Sequence, residues 1–383
     1  MNKKEEYTKL FESFLSRFLV ILLGFGMIIN VMMPDHKESA RENRSLQMFP
    51  SITWSSIVDG SFAKDVDEWF SDQLIGRDQF IYVRYLMQKF TGQTEINDIY
   101  LTSKGLIEKV KEPNTEELER NIKAINDLYT RTGVTTLFML APNSATVNKD
   151  KLPWFSEGLD QESMITEVFN SLEDGIIPID VTTTLKKHKS EYLYYKSDHH
   201  WTSLAAFYAL MEASSDLGLG GIKEENYNIY PVTTSFRGTL AQSVGSLGYS
   251  DQINIYVPKE EPDYLFINEG EGSKGPSVYS SKALEGSDKY SVFMGGNTSL
   301  CRLEMNNKSK KHLLVIKDSY ANCLVPMLIP YYRTITVVDP RYYYEDIRRV
   351  INADSITEIL YLYNGNTFFQ DRSLADMIES SLK

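Results

Sequence analysis

Apolar residues recur along this chain at more than one spacing, and the change of spacing divides it. Phe18 to Met33 (FLVILLGFGMIINVMM) is an uncharged apolar run, extended on its N-terminal side by Phe14 and Leu15. A membrane-crossing helix needs roughly 17 to 25 such residues, which the run reaches with its flanks. From Phe62 to Phe90 aromatic and aliphatic residues fall at helical intervals, and residues 46 to about 130 read as mainly helical. Leu118 to Thr132 is an amphipathic helix, with Gly133 in the position of a C-cap.

Beyond Gly133 the pattern becomes strand–helix alternation. VTTLFMLAP (134–142), IIPIDV (176–181), KHLLVIKDSY (311–320), RTITVVDP (333–340) and EILYLYNGN (358–366) are short apolar runs. Helical stretches lie at about 161–173, at 203–218 and in YYEDIRRVI, and a further one is expected to begin at KDSYANCLVPML. This alternation predicts a parallel sheet covered on both faces. Residues from about 222 to 305, rich in Gly, Ser, Thr, Tyr and charge, predict an irregular or β-rich insertion, and no internal repeat is found.

The 383 residues are 42% hydrophobic and 24% charged, the balance of a globular chain with room for one large domain or two modest ones. A net charge of −12 and the lack of any Lys/Arg run argue against nucleic acid as a partner. Lys3, Lys4, Lys9 and Arg17 precede the apolar run, whereas Asp35 and Glu38 follow it, so the N-terminus is expected in the cytoplasm and the rest outside. No small-x-small cleavage site follows, which favours a signal anchor over a cleaved signal peptide. The expected organisation is a cytoplasmic tail (1–17), an anchor (18–33), a linker (34–45) and a catalytic domain (46–383). Cys301 and Cys323 are too few for a disulfide scaffold; they are free, or they pair once.

In an open parallel sheet, active residues gather beyond the carboxyl ends of the strands. Asn143, the loop SDHHW (197–201), Ser319 and the pair Asn364/Asn366 all fall there. Ser319 sits where a strand gives way to a helix, a place suited either to a nucleophile facing an oxyanion site or to a plain N-cap serine. Asp198 lies two residues before His200, close enough to fix the tautomer of a base and stabilise its imidazolium. His199 alone reads as a surface residue. A metal held by Asp198, His199 and His200 is the competing reading, but adjacent side chains point apart and no further ligand set stands out, so neither metal nor cofactor is expected. Asn364 or Asn366 could donate an oxyanion hydrogen bond, or simply form an Asn-Gly turn.

At SDHHW and KDSY the sequence resembles the DHHW family, which is related to the alginate O-acetylation proteins and more distantly to the SGNH hydrolases. ENRSLQMFP, DGSFAKDVDEWFSDQ, FRGTL and YSVFMGGN extend the resemblance from about Glu42 to the end. It implies a three-layer, flavodoxin-like α/β fold of SGNH type, circularly permuted because the Asp-His loop precedes the serine strand. It implies a triad of Ser319, His200 and Asp198; the oxyanion candidates remain Asn364 and Asn366, and Trp201, Tyr320 and Asn297 are candidate substrate contacts. The activity implied is transfer of acetyl groups to hydroxyls of an extracellular or cell-wall polysaccharide through an acyl-serine. The acetyl donor would be delivered by a membrane-bound O-acyltransferase, since acetyl-CoA is cytoplasmic. A carbohydrate acetylesterase with the same triad and a non-catalytic wall-polymer binding protein are the alternatives.

Overall fold

The computed structural model describes residues 3–39, 44–156 and 158–383, so the expected linker (34–45) and the start of the ENRSLQMFP motif lie partly outside the described residues. The chain forms two compact units, Met1–Met87 and Gln88–Lys383.

The first unit is mainly helical. α1 (Lys3–Met32) runs unbroken through the expected tail and anchor, and its segment Tyr7–Met32 has a mean hydropathy of 2.1. It is followed by α2 (Trp54–Val58), α3 (Ser61–Gln73) and α4 (Arg77–Phe90). Gly60 takes a left-handed φ of 79° directly before α3, which a residue without Cβ adopts at no steric cost.

The second unit opens with a small antiparallel sheet of β1 (Glu95–Ile96), β2 (Ile99–Leu101) and β3 (Leu106–Glu108) inside the stretch expected to be helical. Strands of two or three residues carry too few positions to display a period. α5 (Thr115–Thr132) starts at an Asn114 N-cap and stops at Gly133, whose left-handed φ of 62° lets its N–H reach the Tyr129 carbonyl.

The large sheet follows. Its strands are β4 (Thr135–Ala141) and β5 (Ile176–Ile179), then, after a separate hairpin of β6 (Tyr227–Phe236) and β7 (Asp251–Pro258), β8 (Tyr264–Asn268), β9 (Ser273–Gly275), β10 (Leu300–Met305), β11 (His312–Lys317), β12 (Thr334–Val338) and β13 (Glu358–Asn364). Their spatial order is β9-β8-β10-β12-β11-β13-β4-β5. The five strands from β12 to β5 are parallel; β8, β9 and β10 join antiparallel at one edge. The segment 222–305 therefore carries five strands, three of which join the large sheet.

Side chains alternate across each strand, and both faces are covered. Phe138, Leu140, Leu314, Ile316, Ile359 and Tyr361 pack beneath α5 and the helices Gln161–Asn170, Ile347–Ala353 and Ser373–Leu382. Leu137, Met139, Leu313, Val315, Leu360 and Leu362 pack with Trp201 and the helix Ser203–Ala213. This three-layer mixed α/β arrangement leaves the carboxyl ends of β11 and β13 side by side at the middle of the sheet.

Candidate active site

Loops from three parts of the second unit meet there. β11 runs into Lys317, Asp318 and Ser319, and the following residues form a short 3-10 turn, Ser319–Cys323, rather than the expected α-helix. A second 3-10 turn, Val325–Leu328, follows with Pro326 inside it, and a proline cannot donate a helical hydrogen bond. The N-cap is Asp318, so Ser319 is not the capping residue that its position allowed.

Asp198, His200 and Ser319 form one hydrogen-bonded chain. Asp198 Oδ1 lies 2.5 Å from His200 Nδ1, and His200 Nε2 lies 2.7 Å from Ser319 Oγ. Asp198 Oδ1 also accepts the His200 N–H at 2.9 Å, and its Oδ2 accepts the N–H and hydroxyl of Thr239 at 2.8 and 3.1 Å. Burial opposes ionisation of Asp198, but the His200 and His199 rings and these hydrogen bonds outweigh it and hold the carboxyl well below its usual range. Burial, with His199 beside it, draws His200 down to about 4, so its ring is neutral at physiological pH. A neutral imidazole between a carboxylate and a hydroxyl can take a proton from the hydroxyl and leave an imidazolium beside a fixed negative charge.

The surrounding residues explain why the chain stays in register. Asp251, at the start of β7, accepts the Lys196 N–H, the Ser197 N–H and the Ser197 hydroxyl at 2.9, 2.8 and 2.5 Å, which locks the turn ahead of Asp198. Gly238 lies so close to Asp198 that a Cβ there would come within 2.1 Å of Oδ2. Tyr290 stacks on the His200 ring at 3.8 Å and donates its hydroxyl to the Ser319 carbonyl at 3.1 Å. Behind Ser319, buried Lys317 pairs with Asp339 at 3.1 Å. Burial pulls the Lys317 ammonium below its ordinary value.

The residues singled out from the sequence occupy different positions. His199 is part-exposed and its Nδ1 lies 2.8 Å from the Thr239 hydroxyl, outside the proton chain. Trp201 and Tyr320, expected to contact substrate, are fully buried, which corrects that expectation. The Trp201 indole donates to the Tyr320 carbonyl at 2.8 Å and the Tyr320 hydroxyl donates to the His199 carbonyl at 2.6 Å, so the pair ties the two loops together. Asn297 is exposed, and its Oδ1 accepts from Lys317 and Asn322 at 3.0 and 3.1 Å.

Asn364 ends β13 and Asn366 lies just beyond it, at the carboxyl end of the strand, but their amides face protein groups. Asn364 Nδ2 donates to Asp318 Oδ2 and to Thr367 Oγ1, which engages both of its hydrogens. Asn366 Nδ2 donates to the Lys109 carbonyl at 2.8 Å. Asn143 joins them: its Nδ2 donates to Asn364 Oδ1 at 3.2 Å and its Oδ1 accepts the Asn366 N–H at 2.9 Å. An oxyanion role for the Asn364 side chain would require it to release Asp318. Burial raises the Asp318 carboxyl above its usual range despite Arg341 and the N–H groups of Asn364 and Tyr320.

Asp198, His199 and His200 offer ligand atoms within 4.8 Å of one another, which keeps the metal reading geometrically open. Both nitrogens of His200 and both oxygens of Asp198 are nevertheless committed to the hydrogen bonds above. Cys301 and Cys323 are buried and free, so no disulfide joins them.

The model of the family described as DHHW protein matches residues 42–128 and 131–338. No curated protein matches the sequence. Among solved structures the chain is similar to a DHHW family protein from Eubacterium siraeum, at 21% identity and a TM-score of 0.65 over 75% of this chain and 96% of that one. It is also similar to Bacillus cereus PatB1 with a sulfonyl adduct, at 21% identity and 0.62 over 73% and 99%. The O-acetyltransferase domain of Pseudomonas putida AlgJ aligns at 13% identity and 0.44 over 74% and 99%. The first two share this fold.

Proposed function

Because the chain belongs to the DHHW family, we propose that it is an extracytoplasmic serine O-acetyltransferase that esterifies hydroxyls of a cell-surface or secreted polysaccharide. The observation that carries this reading is the chain Asp198–His200–Ser319 at 2.5 and 2.7 Å. His200 takes the Ser319 proton as Oγ attacks the acetyl carbonyl of the donor. The tetrahedral intermediate collapses, the leaving group accepts that proton from His200, and acetyl-Ser319 remains. A sugar hydroxyl then gives its proton to His200 and attacks the acyl carbon, and Ser319 departs with the proton returned to Oγ. The solved PatB1 carries a sulfonyl adduct, the kind of mark an activated nucleophile acquires from a sulfonyl reagent, which agrees with a nucleophile in this fold.

The strand order supports a permuted SGNH topology. Counted from β11, which leads to Ser319, the five parallel strands stand in the doubly wound order 2-1-3-4-5, with β11 and β13 flanking the switch point where ligands bind. α1 supports a membrane anchor, and the basic residues before its apolar core favour a cytoplasmic N-terminus. With the site outside, a membrane-bound O-acyltransferase would supply the acetyl group.

The test supplies 4-nitrophenyl acetate, labelled in its acetyl group, with and without an oligosaccharide acceptor. Label recovered on the sugar is the expected result. Label recovered only as acetate would make the protein a carbohydrate acetylesterase, and no turnover of the ester would leave the non-catalytic wall-polymer binding reading.

The depressed His200 sets the pH profile. The working form of His200 is neutral, so activity is expected to hold from neutral pH downward and to fall only as pH drops through about 4. A kcat/KM profile half-lost near 6.5, the value of an ordinary imidazole, would mean that His200 is solvated during turnover.

A further inference from the structure

α1 is exposed along nearly all of its apolar length, with one exception near its end. Asn30 is 3% exposed although Val31 and Met32 are 60% and 79% exposed. It is covered by the turn between α3 and α4, where the Ile75 N–H donates to Asn30 Oδ1 at 2.8 Å. Directly beyond, Asp35 accepts the Trp69 indole N–H and the Phe49 N–H at 3.0 and 2.9 Å. His36 and Gln73 exchange two more hydrogen bonds at 2.8 and 2.9 Å. These bonds clamp α3, and the turn into α4, onto the end of α1.

The clamp fixes a depth. At 1.5 Å per residue, Asn30 lies about 4.5 Å before Met33, the last residue of the apolar run. If α1 spans a bilayer, the Leu74–Gly76 turn stands at the boundary between acyl chains and headgroups, and α4 departs from that level. α4 carries an exposed apolar stripe: Phe80, Val83, Met87 and Phe90 are 62%, 49%, 65% and 93% exposed. They recur at the i, i+3, i+7, i+10 spacing of one helix face, with exposed Arg84 beside them. Tyr85, on the other side of the helix, is 3% exposed and packs inward. An apolar stripe of this kind, held at the interfacial level, matches a helix lying in the headgroup region.

We infer that α4 is a membrane-surface helix whose Phe80, Val83, Met87 and Phe90 stripe enters the outer leaflet, so that the protein engages lipid through two elements. This rests on the proposed spanning role of α1. The test uses the full-length chain in phosphatidylcholine/phosphatidylglycerol nanodiscs, spin-labelled singly at Met87→Cys, at Val20→Cys within α1, or at exposed Lys64→Cys in α3. The native cysteines are buried, and unmodified protein measures their background. Oxygen, which concentrates in lipid, is expected to relax the Met87 label several-fold more than an aqueous nickel chelate does, as at Val20, with the preference inverted at Lys64. A Met87 label relaxed by nickel like Lys64, or shielded from both reagents by protein, overturns the inference while Val20 still reports the span. A Val20 label open to nickel overturns the span itself and the inference with it.

Discussion

Replacing Ser319 by alanine is expected to cost on the order of 10⁴-fold or more in kcat for the labelled acetyl ester, with the fold intact. The substitution removes the hydroxyl of a residue that is only 9% exposed and leaves Asp198, His200 and Thr239 bonded to one another. Far-ultraviolet circular dichroism and the melting temperature should therefore match the wild type. Acyl transfer to the sugar and release of free acetate should vanish together, because in the proposed mechanism both pass through acetyl-Ser319. An alanine variant within a few-fold of wild type would remove Ser319 from the mechanism. Repeating the assay with a chelator separates the remaining rival: activity lost on chelation would revive a metal at Asp198, His199 and His200.

Gly238→Ala is expected to be nearly as damaging, although Gly238 touches no reacting atom. Its φ of −87° is open to any residue, so the glycine is required for space and not for conformation. A Cβ would stand 2.1 Å from Asp198 Oδ2 and 2.4 Å from its Cγ, far inside contact distance. The carboxylate must move and give up His200 Nδ1. Losing that partner's proper hydrogen bond lowered kcat about 10⁴-fold in the serine-protease triad, which sets the scale expected here. Overpacking should add about 1–3 kcal/mol of destabilisation, visible as a lower melting temperature. Asp198→Asn serves as the comparison. Should Gly238→Ala keep near-wild-type kcat while Asp198→Asn loses it, the side chain at 238 has found room and the contact does not govern the site.

The readable parts of this protein were those whose signal is local. β4, β11, β12 and β13 announce themselves as continuous apolar runs because both faces of the sheet are buried. Asp198 and His200 are legible as a pair because two residues of chain suffice to join them. Thr239 and Gly238 share Asp198 with them across some forty residues of aperiodic chain, and only the FRGTL motif marked their position. Tyr290 was likewise visible only as the first letter of YSVFMGGN. The fate of Asn364 could not be read either. Its amide donates to Asp318, a partner that β13 meets only by lying next to β11. Trp201 misled for a related reason, since a tryptophan beside a triad motif looks the same in sequence whether its indole faces a sugar or, as here, a carbonyl of the neighbouring loop.

β13 is the last of the described strands and sits inside the sheet, between β11 and β4, with every residue buried. A chain made from its N-terminus therefore delivers this strand after the other described strands of the sheet. β4 and β5 emerge first, and β4 must wait with an open edge through the passage of most of the second unit. During that wait Asp318 lacks Asn364, and an unpaired apolar strand edge invites pairing with another chain. The interval between the emergence of Ala141 and that of Asn364 is thus the period in which the open edge of β4 is available to other copies of the chain.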